Sequence, residues 1–145
     1  MEIKMYDKPF LPEDEFLSLM ESISSLFTPP ISLGAELQAY SRKLYGRAHF
    51  LACREGNKTI AFAAFYKNKT ARQLYVSLIC VDKKNQRQGL GRRMLEMLAS
   101  LKSEGFASIG LEVVKTNTKA YIFYKKQGFK EQEDRGEKFL MVKAI

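Results

Sequence analysis

Hydrophobic residues recur with two different periods along the chain, and each change of period marks a boundary between predicted elements. In the first third, apolar residues recur every three or four positions, which predicts helices over residues 11–26 and 33–45. A short run at residues 3–6 predicts a strand before them. Pro12 and the pair Pro29-Pro30 bound the first helix, because proline fits a helix start but cannot continue a helix.

The middle of the chain changes to strand-like runs that are separated by very short polar turns. The runs cover residues 48–55, 59–67 and 72–82. Turns this short join antiparallel neighbours, so the runs predict a meander. The end of the last run, within residues 74–81, is apolar at successive positions and therefore predicts a strand at the centre of a sheet.

The last third of the chain alternates between helices and strands. The predicted elements are helices at residues 90–103 and 117–128 and strands at residues 108–114, 129–134 and 137–143. The final two strands form a hairpin around Arg135-Gly136. Since there is no repeat, linker or low-complexity segment, the pattern predicts a single α/β (α+β) domain over residues 1–145.

The composition is that of an ordinary globular protein, with 46% hydrophobic and 28% charged residues in 145. No run approaches the roughly 20 apolar residues that span a bilayer, and the N-terminus has no secretory pattern, so we expect a cytoplasmic protein without a membrane partner. Cys53 and Cys80 lie in apolar runs without ligand spacing. We expect reduced, buried thiols and no metal.

The net charge of +8 requires an anionic partner or none. Lysines and arginines are spread from Lys4 to Lys143 and form no dense block, and no zinc-finger or RNP-like motif is present. The sequence therefore does not predict dedicated nucleic-acid binding. A phosphorylated small molecule suits the charge equally well.

A glycine-bearing loop separates the third meander strand from the next helix. Gly89 and Gly91 are not followed by the Lys-Ser/Thr of a P-loop, and Met94 occupies the third glycine position of a dinucleotide fingerprint. Two interpretations remain: a plain turn before a surface helix, or a pyrophosphate cradle. In the second, unpaired N–H groups at the helix start bind the anion, and glycine allows its close approach.

A second motif lies one strand downstream, with Asn117 as a natural N-cap, Tyr124 two turns later and Gly128 at the helix end. Together, Gln86-x-x-Gly89-x-Gly91 and Asn117-x-x-Ala120-x-x-x-Tyr124-x-x-x-Gly128-Phe129 resemble the GNAT superfamily of acetyl-CoA-dependent N-acetyltransferases. The resemblance is specific over residues 48–130. It implies a mixed, mostly antiparallel sheet of about seven strands flanked by about four helices, which splays after the fourth strand.

The resemblance also implies where the cosubstrate acetyl-CoA binds. Its pyrophosphate would lie on the backbone of the glycine loop, at Arg87, Gln88, Gly89, Leu90, Gly91 and Arg92. Its pantetheine arm would pair like an extra strand with the backbone of Ile79, Cys80 and Val81. Asn117 would combine helix capping with a contact to that arm.

Direct acetyl transfer to an amine needs a base for the amine and an acid for the departing thiolate. Tyr124 matches the family position of the acid. Glu112, in the segment Leu-Glu-Val-Val-Lys-Thr-Asn, resembles the base of ribosomal-protein N-terminal acetyltransferases, acting directly or through water. A structural glutamate paired with a lysine is the open alternative. Cys80 is not expected to be a nucleophile, and we expect a structural role for His49.

The acceptor is predicted to be a small primary amine, with an amino sugar or nucleotide amino sugar as the preferred class. A weaker likeness to bacterial surface-polysaccharide GNAT proteins favours it, as do Pro29-Pro30 and the cationic run Ser41-Arg42-Lys43, which we expect near the cleft mouth. Residues 10–47 would form one wall of the acceptor site. A protein N-terminus is the alternative acceptor, and we expect a monomer or homodimer.

Overall fold

In the computed structural model, which describes residues 1–27 and 29–145, seven strands form one sheet that carries four α-helices on its two faces. The helices are α1 (Glu13–Ile23), α2 (Ala35–Arg47), α3 (Leu90–Ala99) and α4 (Thr118–Lys126). The strands are β1 (Ile3–Tyr6), β2 (His49–Glu55), β3 (Lys58–Asn68), β4 (Gln73–Val81), β5 (Ser108–Val114), β6 (Lys130–Asp134) and β7 (Lys138–Ala144). The predicted fold class is confirmed.

The helix ends are where prediction and structure differ. The helix predicted over residues 11–26 ends at Ile23 and continues as a 3₁₀ turn, Ser24–Leu26. The helix predicted over 90–103 similarly ends at Ala99 and continues as a second 3₁₀ turn, Ser100–Glu104. Such tightening of a last turn is common, because 3₁₀ bonds satisfy carbonyl groups that the α-helix leaves open. Thr28, in the predicted proline-bearing loop, lies outside the described residues.

The sheet has the strand order β1-β2-β3-β4-β5-β7-β6, and only β4 and β5 are parallel neighbours. Their pairing is short, since it runs from Gln73 opposite Ser108 only to Val76 opposite Leu111. Beyond this point β4 continues to Val81 and remains paired with β3, but it has left β5. The sheet therefore splays after its fourth strand, as predicted, and a gap opens between β4 and β5.

A β-bulge just before the gap changes the direction of the β4 side chains. Leu78 pairs with Ala64 and Val76 pairs with Phe65, so Ser77 has no partner in β3. Leu74 and Val76 pack into the core under α3 and α4, whereas Leu78 packs into the core under α1 and α2. The extra residue thus reverses the alternation of the strand. Simple alternation, which would put residues 75, 77 and 79 on one face, does not hold here.

Two hydrophobic cores hold the helices on the sheet. Met94 and Leu98 of α3 are fully buried on one face, and Phe16 and Met20 of α1 are fully buried on the other. Phe16 meets the ring of Phe50 at a centroid distance of 5.5 Å with a T-shaped geometry. Burial of each such side chain stabilises the fold by about 1.5–3 kcal/mol, so α3 and α4 are held on one face of the sheet and α1 and α2 on the β2–β4 part of the other face.

No helix in residues 1–27 and 29–145 is long and apolar enough to cross a membrane.

Candidate active site

A cavity of about 460 Å³ lies where the gap between β4 and β5 opens towards α3 and α4. We call it the α3–α4 cleft. Its lining comes from the end of β4, the glycine loop, α3 and α4: Leu26, Ile79, Val81, Asn85, Gln86, Arg87, Gly89, Leu90, Gly91, Arg92, Asn117, Lys119, Ala120, Phe123 and Tyr124. Most of the predicted cofactor-binding residues therefore come together here. The exceptions are Gln88, which does not line the cleft, and Cys80, which lines the opposite face of the sheet.

The glycine loop has a backbone that exposes several N–H groups. Arg87 and Gly89 both have left-handed conformations, with φ of +66° and +79°, and Gly89 is the N-cap of α3 without a side-chain cap. The first helical bond is donated by the N–H of Arg93 to Gly89. Within the described chain, no N–H from residue 86 to 92 donates to a protein acceptor. Such a concave row of donors at a helix N-terminus binds anions.

The structure gives a different reason for glycine at position 91 from the one the sequence indicated. A Cβ atom there would lie 3.3 Å from Cζ of Phe123 in α4, so glycine permits α3 and α4 to approach each other. Close approach of an anion to the backbone was the expected reason. Phe123 also lines the cleft, so a group added at Gly91 would displace a ring that forms part of the cleft wall.

Gln86 attaches the loop to the strand before it. Its Nε2 donates to the carbonyl of Val81 over 3.1 Å. This side chain therefore satisfies a carbonyl at the very end of β4, where the strand has lost its β5 neighbour. The contact orients the glycine loop relative to the gap. The sequence singled out Gln86 only as part of a motif and did not reveal this contact.

Tyr124 presents its hydroxyl to the cleft from α4. The residue is 8% exposed, and its ring packs between Phe123 and Phe129 at centroid distances of 5.2 and 5.5 Å. The hydroxyl makes no hydrogen bond within residues 1–27 and 29–145, and burial raises the pKa of this phenol far above its usual value. Asn117 caps α4 as predicted, because its Oδ1 accepts from the N–H of Ala120. Tyr124 is thus a protonated donor fixed at the cleft.

Glu112 is the first β5 residue beyond the last pair with β4. Its neighbours Leu111 and Val113 belong to the core under α3 and α4, so its side chain lies on the other face of the sheet. The Tyr75 hydroxyl donates a hydrogen bond to Oε1 over 3.2 Å, and Nη1 of Arg135 donates one to Oε2 over 3.3 Å. The partners of Glu112 are therefore a tyrosine and an arginine, not the lysine that the sequence-based alternative assumed.

Two further hydroxyl groups, those of Tyr40 and Ser77, lie on this face of the sheet beyond Tyr75. Burial and the nearby Glu112 carboxylate raise the pKa of Tyr75 to about 12, so Tyr75 stays protonated. Tyr40 of α2 and Ser77 of β4 share a hydrogen bond of 2.8 Å between their hydroxyl oxygens. The sequence did not indicate Tyr40 or Arg135, since both reach the site from elements distant in the chain.

A second cavity, of about 630 Å³, lies between α1 and the ends of β3 and β4. We call it the α1 cavity. Its charged lining is mixed and consists of Asp14, Glu15, Arg54, Lys58, Asp82 and Lys83. Lys58 and Asp82 form an ion pair of 3.3 Å. Leu26 lines both cavities, so the α1 cavity adjoins the α3–α4 cleft across the end of β4.

The expectation of a cationic run near the cleft mouth is wrong. Ser41 is buried under α2 with 3% exposure, and Arg42 and Lys43 line neither cavity. Pro29 and Pro30 line neither cavity as well. The helical period explains the difference, because a stripe that buries residues 37, 41 and 44 turns residues 42 and 43 towards solvent.

His49 and the buried Cys53 line neither cavity, whereas Cys80 lines the α1 cavity and is only partly buried, not fully buried as expected. His49 pairs with Phe65 of β3, which pairs in turn with Val76 of β4 where β4 and β5 are still joined. Burial lowers the pKa of the His49 imidazole. Burial also raises the pKa of the Cys80 thiol to about 11, so the thiol remains protonated near neutral pH. In the part of the chain that the structure describes, no three His, Cys, Asp or Glu residues come together as a metal site.

The sequence and the fold were compared with known proteins. Residues 46–131 match the model of the acetyltransferase (GNAT) domain. The ribosomal protein bS18-alanine N-acetyltransferase of Escherichia coli is 29% identical over 122 residues, which cover 77% of this chain and 82% of that protein.

Crystal structures share the fold along the whole chain. The PaiA N-acetyltransferase of Thermoplasma acidophilum, in complex with coenzyme A, has a TM-score of 0.73 at 19% identity and covers 100% of both chains. An acetyltransferase of Thermus thermophilus has a TM-score of 0.78 at 23% identity and covers 100% of this chain and 98% of that one. At these identities the likeness shows a common fold.

Proposed function

Because this chain belongs to the GNAT family of acetyltransferases, we propose that it transfers the acetyl group of acetyl-CoA directly to a primary amine in the gap between β4 and β5. The observation that carries the proposal is the arrangement of two groups at this gap. Tyr124 lines the α3–α4 cleft on one side, and Glu112 lies just beyond the last β4–β5 pair on the other face. An acid and a base on opposite sides suit a transfer between two substrates.

The α3–α4 cleft fits coenzyme A in shape and charge. The row of free N–H groups at residues 86–92 suits a pyrophosphate, and Arg87, Arg92 and Lys119 add positive charge around it. Ile79 and Val81, at the β4 end that has left β5, suit a strand-like contact with the pantetheine arm. When bound, acetyl-CoA supplies the thioester whose acetyl group is transferred.

The proton balance assigns one role to each side chain. Glu112 accepts the proton that the amine loses as it forms the new amide bond, directly or through water. Tyr124 gives its hydroxyl proton to the sulfur as the thioester bond breaks. The Tyr124 phenol carries its proton at neutral pH, and solvent returns the two residues to their starting states.

For the acceptor, we propose a small-molecule amine, with an amino sugar or nucleotide amino sugar as the preferred class. The α1 cavity supports this, because its serine hydroxyls and mixed charges adjoin the gap and suit a polar, hydroxylated molecule. A protein N-terminus is the second candidate. It is supported by the 29% identity to an enzyme named for acetylating an alanine of a ribosomal protein.

A screen of acceptors tests the proposal. Release of CoA thiol from acetyl-CoA is measured with amino sugars, nucleotide amino sugars, tripeptides with free N-termini, and spermidine, at matched ionic strength. Preferred acetylation of an amino sugar is the expected result. Preferred acetylation of peptides would transfer the assignment to the second candidate, and no amine-dependent release with any class would overturn the proposed function.

A further inference from the structure

Arg135, in the turn between β6 and β7, is the one cation bonded to Glu112 in the described part of the chain. Its Nη1 donates to Oε2 of Glu112 over 3.3 Å, and its Nε lies 3.3 Å from Oε1 of Glu133. The Arg135 side chain is 38% exposed and that of Glu112 is 29% exposed. The guanidinium thus contacts the Glu112 carboxylate, and both groups are partly open to solvent.

The turn holds Arg135 in this position through its own hydrogen bonds. The N–H of Arg135 donates to the carbonyl of Lys138 over 2.8 Å. Gly136 follows in a left-handed conformation, with φ of +82°, and donates its N–H to Oδ1 of Asp134. Lys115 donates to the same oxygen over 2.6 Å. Arg135 therefore projects from a fixed turn, and its contact with Glu112 does not depend on a flexible loop.

The other groups that face Glu112 carry little positive charge. Tyr75 from β4 is a neutral donor, and Tyr40 from α2, which lies behind it, is also neutral because burial raises its pKa. Glu133 from β6 adds a second carboxylate beside Arg135. One guanidinium thus offsets one of two negative charges. Without Arg135, an incoming ammonium group would meet a site with two negative charges.

We infer that Arg135 is a specificity-determining residue that makes the enzyme select weakly basic primary amines over strongly basic alkylamines. The guanidinium repels a protonated amine and reduces the attraction of Glu112 for it, and an uncharged amine is not affected. The inference rests on the proposed role of Glu112, and it narrows the acceptor class further. Amino sugars and α-amines fit it, whereas polyamines and lysine side chains do not.

The difference between these amine classes is large at neutral pH. An α-amine with a pKa of about 8 is roughly one-tenth uncharged at pH 7, whereas a lysine-type amine with a pKa of about 10.4 is uncharged in only about one molecule in 2,500. The amine of an amino sugar is likewise weakened by its electron-withdrawing hydroxyl neighbours. A site whose attraction for ammonium is reduced therefore favours the first class.

The experiment compares two probes in four proteins. The probes are alanyl-glycinamide, with an α-amine, and Nα-acetyl-lysine amide, with an ε-amine. Values of kcat/KM are measured at pH 7.0 and saturating acetyl-CoA for wild type, Arg135→Gln, Arg135→Lys and the control Arg42→Gln. Arg42 is an exposed arginine of α2 that lines neither cavity. The ratio of the two kcat/KM values cancels any general loss of activity.

We expect Arg135→Gln to raise the ratio of ε-amine to α-amine turnover about tenfold, the effect of one partly screened charge. Arg135→Lys and Arg42→Gln should keep the wild-type ratio. An unchanged or lowered ratio in Arg135→Gln would overturn this inference alone. If wild type acetylates neither these probes nor any amine of the screen, the proposed function fails and the inference fails with it.

Discussion

At the scale of single residues, burial and hydrogen-bond partners explain why Tyr124 suits proton donation better than the other tyrosines of the site. Tyr75 already donates to Glu112, and Tyr40 already shares a hydrogen bond with Ser77. Among the residues that the structure describes, none forms such a bond with the Tyr124 hydroxyl, and the rings of Phe123 and Phe129 fix its direction. A donor that is not engaged elsewhere can give its proton to a new partner without breaking a bond first.

Replacing Tyr124 by phenylalanine tests its role as the acid. Tyr124→Phe keeps the ring packing and deletes the hydroxyl, so we expect kcat to fall by roughly 10²-fold while acetyl-CoA affinity and melting temperature hold. Steady-state kinetics and calorimetry measure these quantities. Tyr121→Phe on the same helix is the matched control, since its exposed hydroxyl bonds Glu131 and does not line the cleft. Full activity of Tyr124→Phe would assign the proton to solvent.

Replacing Glu112 by glutamine tests its role as the base. A carboxylate base must be deprotonated to act, so the wild-type kcat at saturating amine falls as pH decreases, and Glu112→Gln should remove this acidic limb and lower kcat. The glutamine oxygen can still accept a hydrogen bond from Tyr75 or Arg135, so the free energy of unfolding should change little. Glu133→Gln, at the other end of the Arg135 bridge, is the control that keeps the limb. A wild-type profile in Glu112→Gln would make the residue structural.

At the scale of elements, the start of α3 combines two functions in a few residues. The left-handed Arg87 and Gly89 shape a loop whose N–H groups have no protein acceptor in the described chain, and Gly91 allows α3 to pack closely against α4. This short segment therefore lines the cleft that we propose for the cosubstrate, and Gly91 also determines how closely Phe123 approaches α3. A substitution here changes both properties, and the experiment must separate them.

Gly91→Ala is the mildest such change. The new methyl group would lie 3.3 Å from Phe123, so this cleft-lining ring must shift by a few tenths of an ångström. We expect acetyl-CoA affinity to fall about tenfold. Replacing helical glycine by alanine usually raises the free energy of unfolding by about 0.5–1 kcal/mol, and we expect this gain to be lost here. Gly46→Ala in α2 is the control, because no atom lies within 4 Å of its added Cβ. It should be more stable with unchanged affinity; equal behaviour of the two variants would refute the packing argument.

At the scale of the whole molecule, the net charge of +8 and the cations of the α3–α4 cleft should make cosubstrate binding depend on salt. Binding to the folded state alone stabilises it by about 2.7 kcal/mol at a ligand concentration of 100 times Kd. Measuring this thermal stabilisation distinguishes an acetyl-CoA-dependent enzyme from a protein that uses its basic surface to bind nucleic acid. Only the enzyme is protected by acetyl-CoA.

We therefore expect acetyl-CoA at 100 times Kd to raise the melting temperature by roughly 10 °C, and 0.5 M NaCl to reduce this rise. Differential scanning fluorimetry measures both. Dephospho-CoA, which lacks one phosphate, is the comparison ligand and should protect less at low salt. Protection by duplex DNA together with none by acetyl-CoA would contradict the assignment of the cleft.

The sequence by itself determined the features that depend on near neighbours in the chain. Period and turn length predicted the strands and helices, the glycine loop was placed before α3, and Asn117 and Tyr124 were placed on α4, because propensity, capping and turn chemistry act over a few residues. The family resemblance added the splayed sheet. Helix ends were predicted less well, since the last turns tighten to 3₁₀ for reasons of packing.

Only the tertiary structure decided what depends on residues far apart in sequence. The bulge at Ser77 reverses the faces of β4, Phe123 explains Gly91, and Arg135 reaches Glu112 from 23 positions away. Each of these contacts joins elements whose relative position is fixed by the whole sheet and both cores. A one-dimensional pattern records which side chains are available, but the pairing of strands and the close approach of helices determine which of them meet.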